Sequence, residues 1–176
     1  VVALIAASEL SPAAKSQVEQ LLGGDAASAM ADVSSWADQI RRDRPETGPW
    51  HYVDIEITSA GYDAARDCPN NACVVAQIKK DAAIVGDRAL AQPVRAEALR
   101  FLIHFVGDLH QPLHCADHHD RGGNSVRVRL DGKETNLHAL WDTAIVASLG
   151  DDPAAVSASL NAAITPQQAA AWSRGG

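Results

Sequence analysis

A chain of 176 residues has the length of one domain, and 47% of them are apolar against 21% charged, which excludes a disordered segment. Fifteen Lys and Arg against twenty-two Asp and Glu leave a formal charge of −7, so any attraction for a polyanion has to come from bound cations rather than from a general basic surface. No apolar run reaches the roughly 20 residues that a membrane-spanning helix needs.

The chain opens Val1-Val2-Ala3-Leu4-Ile5-Ala6-Ala7, with neither a basic leader nor a helix-start signal, and reads as the middle of a helix whose first turn is missing. Ser11-Pro12 supplies an N-cap followed by proline at the first helical position, and Gly23-Gly24 closes that helix after Leu21-Leu22. A second helix is expected from about Ser28, with Met30, Val33, Ala37 and Ile40 at helical spacing, before Pro45 ends the region. Asn71 is expected to cap a third helix carrying Val74, Val75, Ile78 and Val85, with Gly86 as its stop. Pro93 opens a fourth, whose Ala98, Phe101, Leu102, Phe105 and Leu109 form a broad apolar face, and Gln111-Pro112 ends it.

Ser125 to Leu130 alternates strictly and Asp131-Gly132 is a favoured two-residue corner, so one small β-hairpin is expected near 124–136. Helical pattern resumes at Leu137, through Leu140, Trp141, Ile145 and Leu149 to Gly150, and weaker helices follow Asp152-Pro153 and Thr165-Pro166. The other end, Trp172-Ser173-Arg174-Gly175-Gly176, stops on a loop signal. With no repeat or linker, the expectation is a single all-α domain over 1–176 with one hairpin, truncated at both the N-terminus and the C-terminus.

Two of the seven histidines share a pattern, His104-x-x-x-Asp108 and His138-x-x-x-Asp142. Residues four apart on a helix share a face, with Cβ atoms roughly 5–6 Å apart, so an imidazole and a carboxylate so placed can both reach one divalent ion. A single such pair is most simply a solvated one. Both instances, however, lie in otherwise apolar helices beside Phe101, Phe105, Leu140 and Trp141, where an ionised Asp is costly unless paired or bound to metal. His114 follows beyond Pro112, where the chain turns and can return towards the same face. Taken singly, Asp38 reads as a solvated helix residue, Arg41 as a surface arginine and His51 as a loop histidine in the short extended stretch Trp50 to Asp54. Cys68 and Cys73 bracket Pro69-Asn70-Asn71-Ala72, a turn that lets their side chains meet, although three free thiols in a cytosolic protein are the alternative and Cys115 is left over.

Taken together, Ser35-Trp36-Ala37-Asp38, His51-Tyr52-Val53-Asp54, the run His104 to His114, Gly122-Gly123-Asn124 and the run Asn136 to Asp142 resemble, in order, the zinc-dependent single-strand-specific nucleases, or 3′-nucleotidases. These share a fold with bacterial zinc phospholipase C. The resemblance implies three zinc ions: Asp38, His51, His104 and Asp108 as ligands of the first, Asp108 bridging towards a second, and His114, His138 and Asp142 around a separate ion. In the family an N-terminal tryptophan and a nearby histidine complete the close pair, and this sequence begins just downstream of where both would stand. Asp38 and Arg41 are then the candidate catalytic residues, with the guanidinium meeting charge that develops on the phosphate. Tyr52 and Asp54 resemble a base pocket, in which a ring stacks on an unpaired base and a carboxylate accepts its edge hydrogens. Cys68 and Cys73 coincide with a local disulfide of the family, which supports a secreted or periplasmic location.

The function so implied is a zinc-dependent phosphodiesterase that acts through a zinc-activated water as an endonuclease on single-stranded DNA and RNA, leaving 5′-phosphates and also acting as a 3′-nucleotidase. Single-stranded nucleic acid and nucleotides are the expected partners of a monomer. The alternatives are a zinc phospholipase C acting on lipid headgroups, which would want an aromatic cage in place of Asp54, and a catalytically inert zinc-binding fragment.

Overall fold

The computed structural model describes residues 1–175. Three helices open it, α1 (Val2–Ser8), α2 (Pro12–Leu22) and α3 (Ala26–Val33). Ser11 Oγ accepts the Ala14 N–H ahead of Pro12, and Gly23, at a φ of +81° that L side chains resist, ends α2 as expected. The next boundary differs from expectation. Asp25 accepts the N–H groups of both Ala27 and Ser28, so α3 begins at Ala26 instead of Ser28. Nor is the expected second helix continuous: Ser34 Oγ turns back onto the Ala31 carbonyl, and the chain restarts as α4 (Trp36–Ile40).

A 3₁₀ stretch, Pro45–His51, replaces the expected extended conformation at Trp50 and His51, and only the residues after it are extended. α5 (Ala64–Asp67) leads into the Cys68–Cys73 disulfide, whose Cα atoms lie 5.2 Å apart. Asn71 does not cap α6 (Val74–Gly86). Cys73 takes that position, while Asn70 and Asn71, at φ +58° and +57°, make the turn between the bridged cysteines. The Asn71 carbonyl accepts instead from Gln77 Nε2.

α7 (Gln92–Leu109) follows the expected pattern and is the spine of the molecule. Its first half contributes Ala96 and Leu99 to a core with Ala3, Ala7, Val18, Leu21, Ala26 and Met30 of α1–α3. Its second half contributes Phe101 and Phe105 to another, with Ala37, Val53, Val74 and the disulfide. Phe105 is fully buried, stacked on Phe101 at 5.2 Å between centroids, and Trp36 and Trp50 meet Phe101 edge-on at 5.0 and 5.7 Å. Burying one such side chain contributes about 1.5–3 kcal/mol, so this aromatic wall is a firm backing for whatever stands on it.

Strands β1 (Arg127–Leu130) and β2 (Lys133–Asn136) pair antiparallel, Arg127 opposite Asn136, about a corner of Asp131 and Gly132 that both have positive φ. β1 starts at Arg127 and not at Ser125, because the Ser125 and Val126 N–H groups are spent on the carbonyls of Asp120 and Gly123 in the preceding turn. The expected helix from Leu137 is broken into α8 (Leu137–Ala139), a π-helical turn Leu140–Ala144 and α9 (Ile145–Ala147). α10 (Pro153–Ala162) and α11 (Pro166–Trp172) carry the expected Asp152 and Thr165 caps, and a 3₁₀ turn Ser173–Gly175 follows. Gly176, the last residue of the expected loop ending, lies outside the described residues. No helix among those described is long and apolar enough to cross a membrane. The fold is mainly α with one hairpin.

Candidate metal centre

Two groups of imidazoles and carboxylates converge at the C-terminal end of α7. In the inner group, Asp38 comes from α4, His51 from the end of the 3₁₀ stretch and His104 from α7, with donor atoms all within 4.8 Å of one another. Asp108, one turn after His104, joins them through Oδ2, 2.9 Å from His51 Nδ1 and 3.1 Å from His104 Nε2. His51 and His104 are only 2% and 8% exposed, against the aromatic wall, whereas the Asp38 side chain is 55% exposed and opens outward.

Donor spacing tests whether these residues fit a zinc ion. Donors about 2.0–2.2 Å from a tetrahedral zinc lie about 3.3–3.6 Å from one another. In the inner group, His51 Nδ1 and His104 Nε2 are 3.0 Å apart, and they lie 3.7 and 3.6 Å from Asp38 oxygens. With its Nδ1 proton on the Ser34 carbonyl, a neutral His104 turns the Nε2 lone pair to the Asp108 oxygen, and a cation between them satisfies both. The donor set fits.

The outer group is His114, His138 and Asp142, with donors again within 4.8 Å. His114 Nε2 and His138 Nε2 lie 3.7 and 3.2 Å from the Asp142 oxygens, and the two rings stack at 4.9 Å. These residues are more open: Asp142 sits in the π-helical turn with its side chain 39% exposed, so the greasy interior expected around the second His-x-x-x-Asp pair is not found. Asp108 stands between the groups, its Oδ1 3.6 Å from His114 Nδ1.

Backbone carbonyls orient three of the rings. His104 Nδ1 donates to Ser34, His114 Nδ1 to His51 and His138 Nδ1 to Gly122, at 2.7, 2.9 and 2.8 Å, which leaves each Nε2 lone pair facing its group. His51 differs: it faces the inner group through Nδ1, and its buried Nε2 has no partner among the described residues. Gln111 Nε2 holds Asp142 Oδ1 at 2.7 Å. Sequence reasoning assigned no role to Ser34, Gln111 or Gly122. The adjacent glycines were the available signal for Gly122, where a Cβ would lie 2.6 Å from the Leu113 carbonyl oxygen.

The charges follow from this crowding. Burial pushes the Asp108 carboxyl up, but hydrogen bonds from His104 and His51 outweigh it and bring it down to about 2. Burial likewise opposes charge on His104, yet Asp108, the Ser34 carbonyl and Asp38 raise it overall. The group is therefore built to hold positive charge, whether as protons or as metal.

A cleft of about 480 Å³ runs past both groups, lined by Arg41, Tyr52, Asp54, Arg121 and Asn124 together with His51, His114 and His138. Arg41 caps the end of α4 with Nη1 3.7 Å from Asp38 Oδ1. Tyr52 is exposed to the cleft instead of packed into the core. The extended segment that carries it is pinned on both sides, the Val53 N–H to the His114 carbonyl and the Tyr52 carbonyl to the Val74 N–H. Burial and the neighbouring Asp117 carboxylate raise Asp54. His118 and His119 lie apart and pair with Glu56, and His110 closes on the Val106 carbonyl.

Residues 1–175 match the family described as S1/P1 Nuclease. The chain is similar to Nuclease P1 of Penicillium citrinum, at 39% identity over 149 residues, 81% of this chain and 54% of that one. It is similar to Nuclease S1 of Aspergillus oryzae at 37% over 150 residues, 81% of this chain and 50% of the relative. Endonuclease 3 of Arabidopsis thaliana is 35% identical over 139 residues, 74% and 47% of the two chains. The chain spans about half the length of the curated relatives it matches.

Proposed function

The chain belongs to the S1/P1 nuclease family, and from that premise we propose that its cleft hydrolyses phosphodiester bonds of single-stranded DNA and RNA with bound zinc, leaving 5′-phosphates, and removes 3′-phosphates from nucleotides. The observation that carries this reading is the convergence of two donor groups on one cleft that also presents an exposed ring beside a carboxylate.

In this reading Asp38, His51, His104 and Asp108 hold the inner metal and His114, His138 and Asp142 the outer. When bound, zinc supplies a hydroxide nucleophile near neutral pH and positive charge facing the phosphoryl oxygens. The protein's own part is placement. The carbonyls of Ser34, His51 and Gly122 fix the imidazole tautomers, and the exposed face of Asp38 orients the attacking water from the cleft side. Arg41 offers guanidinium N–H groups to the phosphoryl oxygens as their charge builds. Tyr52 stacks on a base and Asp54 accepts its edge hydrogens, which requires that base to be unpaired. A phospholipase C reading is less well supported, since a lone tyrosine beside a carboxylate is no aromatic cage for a choline-like headgroup. The Cys68–Cys73 disulfide supports an exported enzyme.

Purified chain, supplied with zinc and then stripped by chelator, should cut single-stranded DNA and RNA faster than duplex only in the zinc-loaded state. Replacing Tyr52 with alanine should weaken nucleotide binding by about 1–3 kcal/mol. Cleavage that persists unchanged after zinc removal, or a zinc-loaded chain that cuts lipid headgroups and no nucleotide, would overturn the proposal.

A further inference from the structure

Arg121 is the one charged side chain lining the cleft, among the described residues, that the proposed chemistry leaves without a task. It is a non-glycine residue held at φ +61°, a conformation that persists only where its surroundings impose it. Those surroundings are explicit. Asp117 Oδ1 accepts the Gly122 N–H, Asp120 Oδ1 accepts the Gly123 N–H, and Asn124 Nδ2 donates to the Arg121 carbonyl. The same loop, through the Gly122 carbonyl, holds His138. The backbone of Arg121 is thus tied to the outer group, whereas Arg41 stands beside Asp38 of the inner group. Unlike Arg41, its guanidinium has no acidic partner among the described residues.

The cleft does not end at Arg121. Asn124 also lines a second pocket of about 330 Å³ whose other walls are Arg127, Glu134, Thr135 and Asn136 of the hairpin. Arg127 is 90% exposed and only loosely paired, Nη1 3.9 Å from Glu134. In a chain of net charge −7, Arg121 and Arg127 line two neighbouring cavities that meet at Asn124, with Glu134 the one carboxylate on the second. We infer that Arg121, with Asn124 and Arg127 beyond it, binds the backbone phosphates of nucleotides that flank the scissile bond, so that the preferred substrate is an oligonucleotide strand over a mononucleotide. This rests on the nuclease reading and adds to it a direction for the strand: past the outer group and along the hairpin.

The test is equilibrium binding. Zinc-loaded chain is titrated against fluorescently labelled octathymidylate with slowly cleaved phosphorothioate linkages, read by anisotropy, and the equally slow thymidine 3′-phosphorothioate is measured by competition. Arg121→Gly removes the side chain with a residue that accepts the same φ, so the thermal midpoint should stay within a few degrees. We expect the octamer-over-mononucleotide preference to fall about tenfold, and the slope of log K against log salt to shrink by about 0.7, the value of one single-strand phosphate contact. Arg121→Lys should recover most of that slope, since a point charge serves a phosphate, and Arg127→Ala should lower the preference about threefold. Equal losses for octamer and mononucleotide, or none, would overturn the inference while leaving the nuclease reading intact. A wild-type chain that binds and cuts no single strand would instead remove the reading on which the inference rests.

Discussion

The inner and outer donor groups hold similar side chains on different foundations. His104 and Asp108 stand one turn apart on an 18-residue helix, backed by Phe101 and Phe105, and His51 is buried against the same wall. His138 on the short α8 and Asp142 in the π-helical turn that follows stand four residues apart near the surface, and what orients them is a glycine carbonyl and a glutamine amide. In the inner group the core positions the donors, and fold stability and site geometry are one property. In the outer group hydrogen bonds do that work, so geometry can be lost while the fold survives.

Substitution of one histidine in each group sharpens that difference most. His104→Ala should lower nuclease activity by about a thousandfold or more, because a hydroxide source near neutral pH is lost. It should also cost about 1–3 kcal/mol of stability, because the Ser34 carbonyl loses its partner. His138→Ala should impair activity with a change in unfolding free energy below about 1 kcal/mol. Initial rates and denaturant unfolding of both variants decide it, and equal destabilisation by the two would break the comparison.

Next in size is Gly122→Ala. A methyl group there would lie 2.6 Å from the Leu113 carbonyl oxygen at a φ of +58°, so the loop must shift and carry with it the carbonyl that orients His138. A loss of about 10–100-fold in zinc affinity is expected at the outer group alone, measurable by competition with a chelator. Replacing Cys68 and Cys73 together by serine acts on the inner side. The bridge spans a sequence separation of 5 and precedes Val74, whose N–H holds the Tyr52 carbonyl, so the expected cost is about 2 kcal/mol of stability.

The smallest effect lies behind the aromatic wall. Asp81 of α6 is 4% exposed, shares a cavity of about 170 Å³ with Trp50, Phe101 and Glu97, and has its carboxyl pushed up to about 6 by burial, with Lys80 opposing and Glu97 adding. Its folded value lies above the unfolded one, so the native state binds the extra proton. The group's stabilising contribution is complete below pH 4 and is lost as pH rises through about 6. Asp81→Asn should therefore gain on the order of 1–2 kcal/mol over wild type between pH 4 and pH 7. Unfolding measured across that range checks it, and a difference independent of pH would refute it.

What was legible in the sequence follows the same division. Proline, glycine and capping side chains act locally, so Ser11-Pro12, Gly23, Asp131-Gly132 and Thr165-Pro166 mark boundaries that the structure keeps. The i, i+4 spacing of His104 and Asp108 is equally local and survives on a straight helix. The break at Ser34, the Asp25 cap chosen over Ser28 and the π-helical turn under Asp142 turn on competition between near-equal local options, which neighbouring residues alone do not decide. The carbonyls of Ser34, His51 and Gly122 carry no side-chain signature at all, and they find their imidazoles only once distant segments meet.

The most direct test of the account is an anomalous-difference map at the zinc absorption edge from crystals of the chain grown with zinc. The account predicts a peak in each group, about 2.0–2.2 Å from the donor atoms of His51 and His104 in one and of His114 and His138 in the other. A map with no peak between His51 and His104 would contradict it.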